Sequence, residues 1–302
     1  MTQVSIPSSK LIVYTKLTLI LLLTVGLGFF TYFITMILNV FFTTPHLRDH
    51  ARYVLFVYML MNDTFFLFLG FSLMLNSVYE LYVPVPLCYV LYTLSSVTFR
   101  VTPYNLAAMA LEQYVAICHP LRHVELCTAY RAHVTFTMIC FLLSISYVVE
   151  LYIMLSSKTN IFSRYIICRQ NLLIVNPIQN IIFSINFILC FTLVGIVILV
   201  TYIKIVLVAH RISSQSSSAS KAGKTVILHA FQLLLSMASL LSTLTESFLI
   251  KKSELLPIAN FLAFTCLPRF LSPMIYGIRD EALRKHMKRF LPHFLNNNFG
   301  KN

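Results

Sequence analysis

The residues of this chain that could do chemistry are charges standing where charges are costly. Asp63, Arg100, Glu150 and Arg269 each sit inside a long apolar run. In hydrocarbon an ionised side chain costs several kcal/mol unless it is paired, so each one marks a partner, a ligand or an ion path. Glu246 lies near the end of its run, where water reaches it. The spacing assembles no hydrolytic or metal centre. No H-E-x-x-H, no G-x-S-x-G and no pair of intramembrane aspartates occurs. The seven cysteines are scattered, with no C-x-x-C pair and no His/Cys cluster at metal spacing. The expectation is a protein that binds and switches, with no catalytic residues, no cofactor and no metal.

The elements that must position these charges are membrane helices. The chain has 302 residues, 58% of them hydrophobic and only 11% charged, against roughly 25% charged in a soluble domain. Its mean hydropathy is +0.80. The net charge of +13 is spread between apolar runs, which points to the anionic inner leaflet of a membrane and not to nucleic acid. A spanning helix needs about 20 apolar residues. Seven such runs are present: Leu17–Phe42, Tyr53–Tyr79, Val85–Ile117, Val134–Leu155, Pro177–Val208, Thr225–Ile250 and Leu255–Ile278. The third and fifth are long enough to tilt or project. Asn62 and Asp63 interrupt the second. The first is too long for the apolar core of a signal peptide and has no small-residue cleavage site after it.

Orientation follows from Lys and Arg. With the N-terminus outside, the outer segments hold seven (Lys10, Lys16, Lys158, Arg164, Arg169, Lys251 and Lys252) and the inner segments fourteen. The bias favours a cytoplasmic C-terminus. After the last span, Arg279–Leu291 sets Leu283, Met287, Phe290 and Leu291 on one face among Arg284, Lys285, Lys288 and Arg289, the pattern of an amphipathic helix on the inner membrane surface. The third inner loop, SSQSSSAS, is a flexible linker by composition and a possible phosphorylation target. Residues 1–302 thus read as one domain, an all-α seven-helix membrane bundle with a short amphipathic C-terminal helix.

Four motifs then occur in order. MALEQYVAICHPLRH (Met109 to His123) closes the third span and resembles the odorant-receptor signature MAxDRYVAICxPLxY. Thr201-Tyr202-Ile203 closes the fifth and resembles Ser-Tyr-Ile. KAGKTVILH (Lys221 to His229) opens the sixth and resembles KAxSTCxSH. LSPMIYGIRDEALRK closes the seventh and resembles LNPxIYxxRNxxxxx. The chain resembles the odorant-receptor family of rhodopsin-like G-protein-coupled receptors over nearly its whole length, and RDHARYVLF after the first span is nearest to the fish-type branch. It departs from the family in three places. Gln113 stands where such receptors carry arginine. Ser272 replaces the asparagine before Pro273. The one N-x-S/T match, Asn62-Asp63-Thr64, lies inside a span.

The resemblance implies a Cys88–Cys168 bridge, between the outer start of the third span and the second outer loop, where the compartment permits it. It also makes the second and seventh spans neighbours. Asp63 lies about 15 Å and Arg269 about 14 Å from the inner ends of their spans, so they either pair or face separate water pockets. Arg100 and Glu150, about 25 Å and 24 Å from theirs, either pair with each other or leave Arg100 to receive an anionic ligand. By resemblance the pocket lies in the outer half of the bundle, with Ser95, Ser96, Phe99 and Arg100 from the third span and Leu240 and Leu244 from the sixth. Ser95 cannot supply the acidic charge that amine receptors use at its level. At the inner end, Glu112, Gln113, Tyr114, Tyr202, Pro273 and Tyr276 form the switch and G-protein face. Glu112 without its arginine has Lys221, Lys224 or Arg122 as alternative partners, and Pro273 breaks the ladder of its helix.

The resemblance implies an odorant receptor that takes a small molecule, activates a heterotrimeric G protein of the stimulatory, olfactory type and raises cyclic AMP. Its place would be the plasma membrane of sensory cilia. The alternatives are a seven-helix protein with weak or no signalling, such as a silenced receptor or a folding partner, and a transporter. Against a transporter, no internal repeat occurs and seven spans do not halve.

Overall fold

The computed structural model describes residues 9–156, 163–173, 177–213, 234, 255–271 and 273. The predicted sixth span with Leu240 and Leu244, the Ser-rich loop, Tyr276 and the predicted amphipathic helix lie outside the described residues. In chain order the elements are α1 (Ser9–Thr43), α2 (Pro45–Arg48), α3 (Ala51–Val78), β1 (Tyr82–Pro84), α4 (Val85–Cys118), α5 (Pro120–Leu126), α6 (Ala129–Ser156), β2 (Tyr165–Ile167), α7 (Gln170–Leu173), α8 (Pro177–Ser213) and α9 (Leu256–Asn260), which runs into a π-helical turn at Phe261–Cys266. Among the described residues, four helical stretches are long and apolar enough to cross a membrane: Val13–Thr43, Ala51–Val78, Ala129–Ser156 and Ser184–Val208. α4 has the length as well, but Ser95, Ser96, Thr98, Arg100, Thr102 and Asn105 make it more polar. Prolines mark several helix starts, where the missing N–H has no partner to lose: Pro45, Pro86, Pro120 and Pro177.

The chain divides into two compact units, residues 1–40 with 235–302, and residues 41–234. In the first, Leu23, Leu27, Phe30, Ile34 and Ile37 are buried. They recur every three or four residues, so they form one face of α1. Val25, Phe29 and Tyr32 on the other faces are exposed. Phe270 stacks on Phe30 with ring centroids 4.9 Å apart, and a Cβ at Gly26 would stand 3.2 Å from that ring. Glycine is what lets the ring approach. The π-helical turn precedes Pro268, which has no N–H to give and would crowd the carbonyl one turn back. The wider turn relieves that crowding. The amide of Leu267 reaches back five residues to the carbonyl of Leu262.

In the second unit α4 packs against α3, α6 and α8. Polar side chains tie it to two of them. Asn105 Nδ2 donates to the Leu55 carbonyl at 2.8 Å. Asn62 Nδ2 donates to the Thr98 carbonyl at 2.8 Å and to Thr102 Oγ1 at 3.0 Å. The hydroxyl of Tyr89 donates to the Tyr147 carbonyl of α6 at 2.8 Å. Against α8 the contact is apolar, Ala107 meeting Cys190 and Val194.

At the end of α4 that carries Cys88, β1 and β2 pair antiparallel, with Tyr82 opposite Ile167 and Pro84 opposite Tyr165. This small sheet corrects the purely helical expectation, since three-residue strands leave little periodic signal. Directly after β2, Cys168 forms the expected disulfide with Cys88, their Cα atoms 5.4 Å apart. Asn76 completes the corner. Its Oδ1 accepts the buried Cys168 amide at 2.8 Å, and its Nδ2 donates to the Leu81 carbonyl at 2.9 Å. An unmet buried amide costs about 1–3 kcal/mol. Asn76→Ala should therefore destabilise the purified protein by that amount, seen as a lower thermal midpoint, while peptide mapping still recovers the bridge. Asn76→Asp, which keeps the acceptor, should fall between. An alanine variant as stable as the parent would refute the role given to Asn76.

Candidate functional site

The candidate ligand residues on α4 point to two sides. Ser95 and Phe99 are one turn apart, and the Phe99 ring meets Phe66 of α3 at 5.6 Å. Ser96 and Arg100 occupy the next face, and Arg100 reaches α6. Its guanidinium carbon lies 4.7 Å from the centre of the Tyr147 ring, and Nη2 donates to Ser146 Oγ at 3.5 Å. Arg100 is 6% exposed, and its Nε has no hydrogen-bond partner among the described residues. Glu150 is half-buried one turn beyond Ser146. Of the two alternatives for Arg100 and Glu150, a direct ion pair within contact distance is not formed; Glu150 is attracted to Arg100 from further away, and an ion pair that is formed is Glu112 with His123. Similar depth was a sound guide to neighbouring helices. Tyr147, which sequence reasoning missed, holds the guanidinium by its ring face instead.

Asp63 sits one residue from Asn62 and accepts the Thr102 hydroxyl at 2.6 Å. Thr102 thus accepts from Asn62 and donates to Asp63, linking two buried side chains of α3 through one hydroxyl of α4. In the other unit, Arg269 is buried and donates to the Thr265 carbonyl at 3.3 Å, on its own helix. Thr102 was not singled out in the sequence. A threonine has no signal of its own until its partner helix is known.

At the opposite end of α4 from Cys88, Glu112, Gln113 and Tyr114 stand beside α5. Glu112 Oε1 lies 2.8 Å from His123 Nε2. Of the partners expected from sequence, Arg122 is exposed, and Lys221 and Lys224 lie outside the described residues. α5 folds back one short helix after α4, and that return places residue 123, not 122, over the acid. An Nε2–H donates to a carboxylate whether the ring is neutral or charged, so the contact survives both states. Gln113 is buried, and its amide nitrogen has no partner among the described residues. The Tyr114 hydroxyl lies 3.2 Å from His119 Nε2. Tyr202 on α8 is partly exposed, beside Thr201, whose hydroxyl turns back to the Val197 carbonyl at 2.8 Å. Pro273 is helical and buried. Cys127, just beyond α5, has its thiol pushed up by burial, with Glu112 raising it further and Arg131 opposing.

The α3–α4 link can be tested directly. Thr102→Val keeps the shape but removes both the donor to Asp63 and the acceptor of Asn62, a loss of about 1–3 kcal/mol. Thr102→Ser should retain most of the stability. The fraction of receptor still monodisperse after heating measures it, and a valine variant equal to the parent would show that the hydroxyl carries no stabilising bond.

Residues 35–276 match the family model for the 7 transmembrane receptor (rhodopsin family). Odorant receptor 131-2 of Danio rerio is 29% identical over 276 residues, 87% of this chain and 82% of that protein. Olfactory receptor 1073 of Rattus norvegicus is 28% identical over 197 residues, 62% of this chain and 62% of that protein. The family match takes in α3 to α9, the bridge, the Glu112–Gln113–Tyr114 end of α4 and the helix carrying Pro273. The chain belongs to the rhodopsin family of seven-transmembrane receptors: it is a multi-pass membrane receptor and not an enzyme.

Proposed function

We propose that this receptor binds a small odorant in the outer half of its helix bundle and activates a stimulatory, olfactory-type G protein, raising cyclic AMP. The observation that carries the reading is its similarity, along 87% of its length, to a fish protein named as an odorant receptor. The Lys and Arg distribution supports an outer N-terminus and an inner C-terminus. The same reading puts the protein in the plasma membrane of sensory cilia. α4 connects the two ends of the device. Cys88 fastens it beside the ligand side, and Glu112, Gln113 and Tyr114 stand at the G-protein side. A ligand that binds one helix arrangement more tightly shifts the population toward it.

One observation favours a second reading, a receptor that signals weakly. Gln113 replaces the family's arginine, and its amide nitrogen is buried without a partner among the described residues. Glutamine can donate a hydrogen bond but cannot form an ion pair. The neighbouring acid is already held by His123, so a resting-state arginine lock is absent. Restoring the cation should improve contact with the G protein without loosening the resting state. Gln113→Arg is expected to raise the maximal cyclic AMP response to odorant and leave the basal signal unchanged, at equal surface expression. An unchanged or reduced maximum would favour the weakly signalling reading.

A further inference from the structure

Most of the buried polar groups on α4 are matched by a neighbour, and the exceptions cluster. Among the described residues, five buried side-chain atoms lack a hydrogen-bond partner: Thr93 Oγ1, Arg100 Nε, Asn105 Oδ1, Gln113 Nε2 and Tyr147 Oη. Three of them, on Thr93, Arg100 and Tyr147, lie along one seam. Thr93 and Arg100 are two turns apart on one face of α4, and Tyr147 is the α6 residue beneath the guanidinium. All three can donate, and the two hydroxyls can also accept.

The guanidinium itself is under-compensated. It is buried in a membrane helix, and its direct contacts are neutral: a hydroxyl at 3.5 Å and an aromatic face at 4.7 Å. A buried charge in this setting needs an opposite charge. Glu150 attracts it but is not in ion-pair contact with it. A guanidinium is a planar fork suited to two parallel hydrogen bonds with a carboxylate. Tyr104 and Cys190 also lie within its field, and Phe99, on the neighbouring face of α4, meets Phe66. The segments read as outer carry seven Lys and Arg, against Glu80 and Glu254. Such a surface draws anions and repels cations.

We propose that the ligand is an apolar carboxylic acid, and that its carboxylate is held by Arg100 with the Tyr147 hydroxyl as a second donor. This inference rests on the reading that the outer half of the bundle holds the ligand, and it names that ligand's class. The ligand carboxylate supplies two acceptors and a negative charge in direct contact with the guanidinium, which Glu150 does not, and the acid's apolar remainder extends toward Phe99 on the neighbouring face of α4. Amines are excluded by the fixed cation.

The test uses the full-length receptor in two assays. The first is thermal unfolding of purified receptor in lipid nanodiscs, with medium-chain fatty acids and the alcohols, amines and methyl esters of the same chain length. The second is cyclic AMP in cells with the same compounds. The expected result is that the acids alone raise the unfolding midpoint, because a ligand stabilises the state it binds. Arg100→Gln should raise the half-maximal acid concentration at least about 30-fold. Arg100→Lys, which keeps the charge but not the fork, should raise it less. Glu150→Gln removes a carboxylate that competes for Arg100 and should lower it. If Arg100→Gln does not reach the surface, the lysine and Glu150 variants decide. Alcohols or esters that bind as well as acids, acids without effect on the midpoint, or Arg100 variants with unchanged acid sensitivity would overturn the inference. It is also overturned if Glu150→Gln loses surface expression and a second change at Arg100 restores it, because Arg100 then belongs to Glu150. Responses to neutral odorants alone would sink the acid while leaving the odorant reading intact. Acid binding with no cyclic AMP would support the acid and count against the signalling reading.

Discussion

A helix in hydrocarbon has no water for its polar side chains, and this constraint organises the second unit. α4 buries Thr98, Arg100, Thr102, Asn105, Glu112 and Gln113. Each polar group left without a partner there costs more than it would at a wet surface. Association of membrane helices gains little from burying apolar surface, because lipid is as apolar as leucine. What fixes the partners of α4 is therefore where its polar groups find acceptors and donors. On the α3 side Asn105 finds the Leu55 carbonyl and Thr102 the Asp63 carboxylate, while the Thr98 carbonyl of α4 accepts from Asn62. On the α8 side α4 presents Ala107 to Cys190 and Val194, a contact of small and apolar side chains. The seam with α6 is the side on which donors remain.

The helices were legible from hydropathy, and their ends less so. The predicted run Val134–Leu155 became Ala129–Ser156, and Pro177–Val208 became Pro177–Ser213. Hydropathy registers only the part inside the hydrocarbon. Backbone hydrogen bonding carries the helix on through exposed Tyr130 and Arg131, and in the later helix through residues 209–213. The bridge was legible because two cysteines stood in matched positions of a family pattern. The partners of Glu112 and Arg100 were not. Residue depth ranks possible neighbours to within a helical turn, but a hydrogen bond needs the rotation of the helix as well. Ser146, Tyr147 and Glu150 share nearly one face of α6 and nearly one depth. Packing chose the first two for Arg100. The π-helical turn before Pro268 was equally hidden, since only the bend between Phe261 and Cys266 reveals how the proline is accommodated.

The end of α4 opposite Cys88 shows how a receptor of this family holds together without the arginine. In place of an acid–arginine contact along one helix, the acid reaches a different element. His123 belongs to α5, so its contact with Glu112 fastens α5 to α4. Tyr114 and His119 add a second contact across the same turn, at the junction between the helices. His123 Nε2 carries the hydrogen it donates to the carboxylate, and His119 Nε2 accepts from or donates to the Tyr114 hydroxyl according to its tautomer. Gln113 is left inside this anchored corner.

The two fastenings of α4 differ in kind from the bonds between them, and their positions explain the difference. From Cys88 to Glu112 is 24 residues, or about 36 Å of helix. A hydrocarbon core is about 30 Å thick. Both the disulfide and the Glu112–His123 contact therefore stand at or beyond the edges of the core, where oxidation and ionised groups are permitted. Between them α4 is held to α3 by single hydrogen bonds from Asn62, Thr102 and Asn105. Such bonds are each worth about 0.5–1.5 kcal/mol net, so exchanging one for another is within the free energy that a small ligand supplies. A helix clamped at both rims and held by exchangeable bonds in the middle cannot slide far along its axis. It can rotate or tilt by changing partners at the level of Arg100 and Thr102. That level includes the unmatched Nε of Arg100, so a ligand of the proposed class would add its free energy where α4 is held by exchangeable bonds.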